Sequence, residues 1–178
     1  MNLKGSKTEK NLFAAFAGES QARTKYTFYA AQAKKDGYEQ IAAIFEETAN
    51  NEKEHAKLWF KQLNGGMPDT LKNLHDAAAG EHYEWTEMYK EFAQTAKEEG
   101  FTHLAFLFES VAAVEKNHDK RYLKLIENIE NKTVFERDSE VIWICRNCGH
   151  IYKGKKAPEI CPTCAHPQSF FEIKCYNY

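Results

Sequence analysis

Glu52-x-x-His55 and Glu115-x-x-His118 stand 63 residues apart, and this duplication limits the chain to folds built from two copies of one helical unit. A Glu and a His three positions apart on a helix share one face, about one turn from each other. The surroundings repeat at the same offset. Tyr26 matches Tyr89, Ala30 matches Ala93, Lys34 matches Lys97 and Gly37 matches Gly100; Phe45, Glu46 and Lys53 match Phe108, Glu109 and Lys116. A duplicated helical hairpin with Glu-x-x-His on its second helix can set two metal-binding faces opposite each other. The repeat is imperfect. Gly18-Glu19 pairs with Gly80-Glu81 only after a one-residue slip, and Glu84 has no acidic counterpart, its equivalent being Gln21 or Ala22.

Residues 6–130 read as four helices. Ser6-Lys-Thr-Glu9 has the form of a capping box, so a first helix begins there and runs to Asp36, before Gly37. A second runs from Tyr38 to Asn64, and Gly65-Gly66-Met67-Pro68-Asp69 breaks it. A third runs from Thr70 to Glu99, before Gly100, and a fourth from Phe101 to Glu130. Steps of three and four give each helix a seam. The second helix reads Ile41, Phe45, Thr48, Glu52, His55, Trp59, and the fourth reads Leu104, Phe108, Val111, Glu115, His118, Tyr122, Leu125. The first places Glu19 and Tyr26 among Leu12, Phe16, Arg23, Ala30 and Ala33; the third places Glu81 and Glu84 among Leu74, Ala77 and Met88.

Most of the 26 acidic residues need no explanation beyond a solvated surface, Glu46, Glu54 and Glu91 among them. The seam acids are different. An unpartnered buried carboxylate costs roughly several kcal/mol, and burying them on all four helices calls for a compensating cation. Glu19, Glu52, His55, Glu81, Glu84, Glu115 and His118 can hold two metal ions. Their arrangement resembles the ferritin-like di-iron or di-manganese proteins, with a Glu from each of two helices and Glu-x-x-His from each of the others. Oxygen-rich ligands with one imidazole per metal suit iron or manganese better than copper, and leave zinc open. Tyr26 and Tyr89 are either amphipathic core residues or hydrogen-bond donors to ligand carboxylates.

All five cysteines fall within the last 34 residues. Cys145-x-x-Cys148-Gly149 and Cys161-Pro162-x-Cys164 form two knuckles with 12 residues between them, a spacing suited to one tetrahedral metal. Alone, the tail fits iron and a structural zinc ribbon equally; beside a redox-capable bundle, iron is favoured. Trp143, Tyr152, Phe170 and Phe171 are expected to shield the site from water. Cys175 lies outside the pattern. So short a segment needs a metal staple to fold. The formal charge of −2, without a basic stripe, argues against nucleic acid. Neither a signal peptide nor a membrane-spanning run is visible, so a cytoplasmic location is expected.

The two sets of motifs, in this order, resemble a rubrerythrin over essentially the whole chain. The implied fold is mainly α: a ferritin-like four-helix bundle over 1–130, a linker over 131–141, and a small metal-stapled rubredoxin-like β and loop domain over 142–178. The resemblance implies that Glu52 and Glu115 bridge two irons, Glu19 and Glu81 are terminal ligands, and His118 binds one iron. Glu84 and His55 would be alternative ligands of the other iron, exchanged with redox state. Cys145, Cys148, Cys161 and Cys164 would hold a single iron. The implied activity is a non-haem di-iron peroxidase that reduces hydrogen peroxide to water in oxidative-stress protection. Electrons would come from NAD(P)H through a small carrier, a rubredoxin or its reductase. In that family transfer runs between subunits of a head-to-tail homodimer. Two rivals remain: a ferroxidase or iron-storage protein, against which the cysteine knuckles count, and a non-enzymatic module with a zinc ribbon.

Overall fold

The computed structural model describes residues 2–177. The chain forms two compact units, Met1–Asp69 and Thr70–Tyr178, divided at the Gly65–Asp69 break.

The first unit is a helical hairpin of α1 (Lys7–Lys35) and α2 (Glu39–Asn64). Ser6 caps α1 by accepting the Glu9 N–H at 3.1 Å, and the Glu9 carboxylate reaches back to the Gly5 N–H at 2.6 Å. Gly37 closes the helix with φ +84°, a conformation that favours glycine, while Tyr38 N–H bonds Ala33 O. Among its described residues the buried ones are all alanines: Ala30, Ala33, Ala42, Ala49 and Ala56. Of the seam expected for the second helix, Phe45, Thr48 and Trp59 are half-buried and Ile41 is 46% exposed. Two helices cover only the narrow stripe between them, and small side chains fill it.

The second unit repeats this plan. It holds α3 (Thr70–Tyr83), α4 (Tyr89–Glu98) and α5 (Thr102–Glu130), with Ala78, Ala93, Ala96 and Ala105 buried. The third helix of the sequence reading is not one α-helix. Glu84–Met88 forms a π-helical turn in which Tyr89 N–H bonds Glu84 O, five residues back. This turn accounts for the slip in the repeat. Lys10-Asn11-Leu12 matches Lys72-Asn73-Leu74 at an offset of 62, Glu19 still matches Glu81 at 62, and Tyr26 matches Tyr89 at 63. One extra residue lies between, and a π turn absorbs one residue without rotating the faces on either side.

The same unit contains a three-stranded antiparallel sheet of order β2-β1-β3, with β1 at Glu136–Cys145, β2 at Ile151–Lys156 and β3 at Phe171–Ile173. The segment expected to be a linker, 131–141, is therefore strand from Glu136 onward, where Glu136 pairs with Lys156. Apart from half-buried Arg137, the strand's polar side chains stay in solvent while its backbone joins the ladder, so composition misleads there. Trp143, Phe171, Ala157, Cys145 and Cys161 make the core, and Trp143 Nε1–H donates to Gly154 O at 3.0 Å. Tyr152 and Phe170, expected among the shielding aromatics, are exposed at 41% and 37%. The Tyr152 ring instead lies over Gly154, within 2.7 Å of where a Cβ would stand.

Candidate metal centres

The two hairpins build the same triad by the same local rule. A helix turn separates each Glu from its His, and the neighbouring helix supplies the second carboxylate. In the first unit His55 Nδ1 lies 2.8 Å from Glu52 Oε2 and 3.9 Å from Glu19 Oε1. In the second, His118 Nδ1 lies 2.7 Å from Glu115 Oε2 and 3.7 Å from Glu81 Oε2. Within each triad one donor atom from every residue falls inside 4.8 Å of the others. The repeat extends to the helix ends, where Lys34 bonds Glu46 at 2.6 Å and Lys97 bonds Glu109 at 2.5 Å.

The electrostatics of the second triad favour a cation. Burial pushes Glu81 above the usual carboxylate range, Glu115 adds to it through charge and a hydrogen bond, and Glu84 adds more; His118 alone opposes. The Tyr89 phenol is raised by burial and then by the charges of Glu84, Glu115 and Glu81. Glu84 thus faces the same acidic pocket without belonging to the tight triad. Tyr89 packs on Phe92 and Phe108, as Tyr26 packs on Tyr29 and Phe45. Clustered oxygens with one imidazole each fit hard or borderline metal ions.

The four cysteines form a second kind of centre. Cys145 Sγ lies 3.7 Å from Cys164 Sγ, and Cys148 Sγ lies 3.6 Å from Cys161 Sγ. A tetrahedron with metal–sulfur bonds of about 2.3 Å has edges of about 3.8 Å, so the thiols already stand at metal-binding spacing. The knuckles are near copies. Gly149 N–H bonds Cys145 O and Ala165 N–H bonds Cys161 O, with φ of +76° and +57° at Gly149 and Ala165. At Cys164 the His166 backbone N–H outweighs burial and, helped by Cys148 and Cys161, brings the thiol down to about 6. At Cys148 the His150 N–H pulls down, but Cys164, burial, Cys161 and Cys145 prevail and push it up to about 12. Cys175 is exposed and apart from the cluster.

Comparison with known proteins decides the family. The rubrerythrin family model matches residues 10–126 and again 72–144, and the model of the rubrerythrin rubredoxin-like domain matches 143–172. The chain belongs to the rubrerythrin family. It is 54% identical to the rubrerythrin of Porphyromonas gingivalis, covering 99% of this chain and 94% of that one. It is 50% identical to the rubrerythrin of Nitratidesulfovibrio vulgaris, covering 99% of both. A solved structure of nigerythrin in its mixed-valence state is 34% identical over 95% of this chain and 87% of that one, with a TM-score of 0.36. The two family models agree with a mainly α, ferritin-like helical part followed by a rubredoxin-like C-terminal region. A di-iron pair and an iron on four cysteines are the cofactors of that family, and the donor sets of this chain fit both. Among the described residues no helix is long and apolar enough to cross a membrane.

The sequence reading missed one group. Asp119 is a buried charged residue, 4% exposed, and accepts hydrogen bonds from Trp85 Nε1–H at 2.9 Å and His82 Nδ1 at 3.0 Å. Burial raises its proton affinity, but the Trp85 and His82 hydrogen bonds and the His82 charge outweigh this and hold the carboxyl below the usual range. A signal was available: at the 63-residue offset Asp119 stands where the first unit has Ala56.

Proposed function

We propose that the chain is a hydrogen peroxide reductase. Glu19, Glu52, His55, Glu81, Glu84, Glu115 and His118 serve as ligands of the di-iron pair, and Cys145, Cys148, Cys161 and Cys164 bind one further iron. The observation that carries this reading is the presence of two like Glu-Glu-His triads and a tetrahedral thiol set in one chain. Held by these carboxylates and imidazoles, a di-iron pair would supply the two electrons that O–O cleavage requires, and an iron held by the four thiolates would supply their replacement.

The protein's own residues prepare the chemistry. Glu81 and Glu115 share one pocket and concentrate negative charge, so a divalent cation relieves a repulsion already built into the fold. Tyr89 stays a neutral phenol well above neutral pH, and its O–H is available to donate toward Glu84, Glu81 or Glu115. At the four-cysteine centre, backbone N–H groups aimed at sulfur stabilise the thiolates, and buried Trp143 and Phe171 pack behind Cys145 and Cys161.

The external donor is a small electron carrier, a rubredoxin or its NAD(P)H-dependent reductase, and the working form is a head-to-tail homodimer in the cytoplasm. We assign the ferritin-like function to 1–130 and the rubredoxin-like function to 142–178 together with the strand that enters it from Glu136.

The test is anaerobic mixing of the fully reduced protein with stoichiometric hydrogen peroxide. Both kinds of centre are expected to reoxidise much faster than with dioxygen. Faster reaction with dioxygen would make the protein an oxidase, and a mineral core formed from added Fe(II) would make it an iron-storage protein. Metal analysis should find about three irons per chain and a red thiolate-to-iron chromophore. Zinc on the cysteines of a colourless protein would remove the electron-transfer role.

A further inference from the structure

We infer that Asp119 is a positioning residue for Glu84: by holding the Trp85 indole it fixes the π-helical turn in which Glu84 stands, and so sets the affinity of one metal ion. The inference rests on the reading of Glu84 as a ligand given above.

Four observations converge on it. First, Trp85 follows Glu84 directly, and both lie in the five-residue π turn. Such a turn is wider and weaker than α-helix and persists where something outside the helix holds it. Second, the outside hold is visible. Trp85 Nε1–H reaches across to α5 and donates to Asp119 Oδ2 at 2.9 Å, and His82, one turn earlier on α3, bonds the same oxygen at 3.0 Å. One carboxylate oxygen therefore ties both sides of Glu84 to the helix that carries Glu115 and His118. Third, Lys116 and Lys90 place their ammonium groups 4.9 Å and 5.7 Å from the centre of the Trp85 ring, holding the indole from further directions.

Fourth, although Lys53 matches Lys116, the first unit lacks the parts that tie the turn across the hairpin. It has Ala56 in place of Asp119, an unbroken α1 in place of the π turn, and Gln21 or Ala22 in place of Glu84. With a 62-residue offset Trp85 falls opposite Arg23 and His82 opposite Ser20. A buried charge costs free energy unless paired. The alternative at this position is in the same molecule: alanine suffices where there is no extra carboxylate to aim. Asp119, Trp85, the inserted residue and Glu84 are thus present together or absent together.

The test uses the full-length protein, stripped of iron, with Zn(II) on the four cysteines, and Mn(II) as the probe. Free Mn(II) is followed by electron paramagnetic resonance. Glu84→Gln should weaken one of the two Mn(II) ions. Trp85→Phe, which keeps the ring and deletes the N–H, and Asp119→Ala, which copies Ala56, should weaken the same ion by roughly ten- to a hundredfold. Asp119→Asn keeps an acceptor for Trp85 and should restore most of the affinity. Glu84→Gln combined with Trp85→Phe should bind no more weakly than Glu84→Gln alone, because the indole acts only through that carboxylate. Amide hydrogen exchange across 84–89 should quicken in Trp85→Phe and Asp119→Ala and stay unchanged in Glu84→Gln. If Asp119→Ala does not fold, Trp85→Phe and Asp119→Asn carry the test. Independent, additive losses, or full Mn(II) affinity in Trp85→Phe, would overturn the inference. Two unweakened Mn(II) ions in Glu84→Gln would instead overturn the ligand reading on which it rests.

Discussion

Cys148 Sγ lies 3.6 Å from Cys161 Sγ, a contact between the two knuckles made before any metal is considered. The thiols are near one another because β1, the turns and the 3₁₀ segment at Gln168–Phe170 put them there, but their proton affinities differ widely. Cys164 sits at about 6 and Cys148 at about 12. At pH 8 Cys164 is therefore a thiolate and Cys148 still holds its proton, which a metal must displace. Zn(II) added to the metal-free protein at pH 8 should release protons, measurable by calorimetry in buffers of different ionisation enthalpy. Its apparent affinity should climb with pH, and should fall most steeply below about 6, where Cys164 protonates as well. Cys148→Ser or Cys161→Ser should abolish tight binding and melt the sheet, seen as loss of the dispersed amide signals of β1 and β2.

The Trp143 indole and the Tyr152 ring both use Gly154. Its carbonyl accepts the Trp143 N–H, and its missing Cβ leaves room for the Tyr152 ring, the nearest atom of which stands 2.7 Å from the Cβ position. Gly154→Ala should destabilise the metal-bound protein by about 1 kcal/mol, near the low end for overpacking because the exposed tyrosine can swing away. Adding Tyr152→Ala should recover most of that loss in thermal unfolding.

Glu81 and Glu115 repel each other when no cation is present. Because the folded protein raises the proton affinity of Glu81, the metal-free form binds a proton there more tightly than the unfolded chain does. Its contribution to stability is therefore unfavourable at neutral pH and improves as pH falls through the raised value. Glu81→Gln should stabilise the metal-free protein at pH 7 by about 1 kcal/mol, in the range of other substitutions that relieve a functional site. The gain should vanish near pH 4. The same variant should lose one metal ion, so the unfolding midpoints of metal-free and metal-loaded protein should move in opposite directions.

How much of this was legible in the sequence depends on what each residue reports. Glu52, His55, Glu115 and His118 report through spacing on one helix, and the structure sets them at the expected separations. The cysteine pairs do the same through the fixed turn of a knuckle. The helix ends at Gly37 and Gly100 report through backbone handedness. What spacing cannot carry is contact between segments. The buried stripe of the first hairpin is alanine, and that of the second is alanine with Ile126 and Asp119; alanine has too little hydrophobicity to stand out, so a pattern drawn from large side chains falls beside much of it. Strand β1 begins in a charged run because a ladder is made by backbone, whatever the side chains. In the sequence Asp119 is one more acid, beside His118, and only the hydrogen bonds from Trp85 and His82 distinguish it.

The π turn gives the sharpest remaining test, because the molecule contains its own control. Glu81 and Tyr89 are eight residues apart in the second unit, whereas Glu19 and Tyr26 are seven apart in the first. Both pairs nonetheless place the Glu in a triad and the Tyr against the equivalent phenylalanine. Deleting exposed Glu87 restores the spacing of the first unit. The extra residue being gone, α3 and α4 should join as one α-helix, with the Tyr89 N–H bonding four residues back. Glu81, Glu115 and His118 should keep their faces, so the triad should survive and still take a metal ion. The Trp85 indole loses the wide turn that lets it reach Asp119, leaving a buried carboxylate short of one donor, at a cost of roughly 1–3 kcal/mol. The expected outcome is a folded but less stable protein whose two Mn(II) affinities diverge. Amide exchange across residues 84–89 should slow to the level of α1. Loss of the whole triad on deletion would mean that the turn holds Glu81 as well as Glu84, and that the second unit has diverged from the first beyond the insertion of one residue.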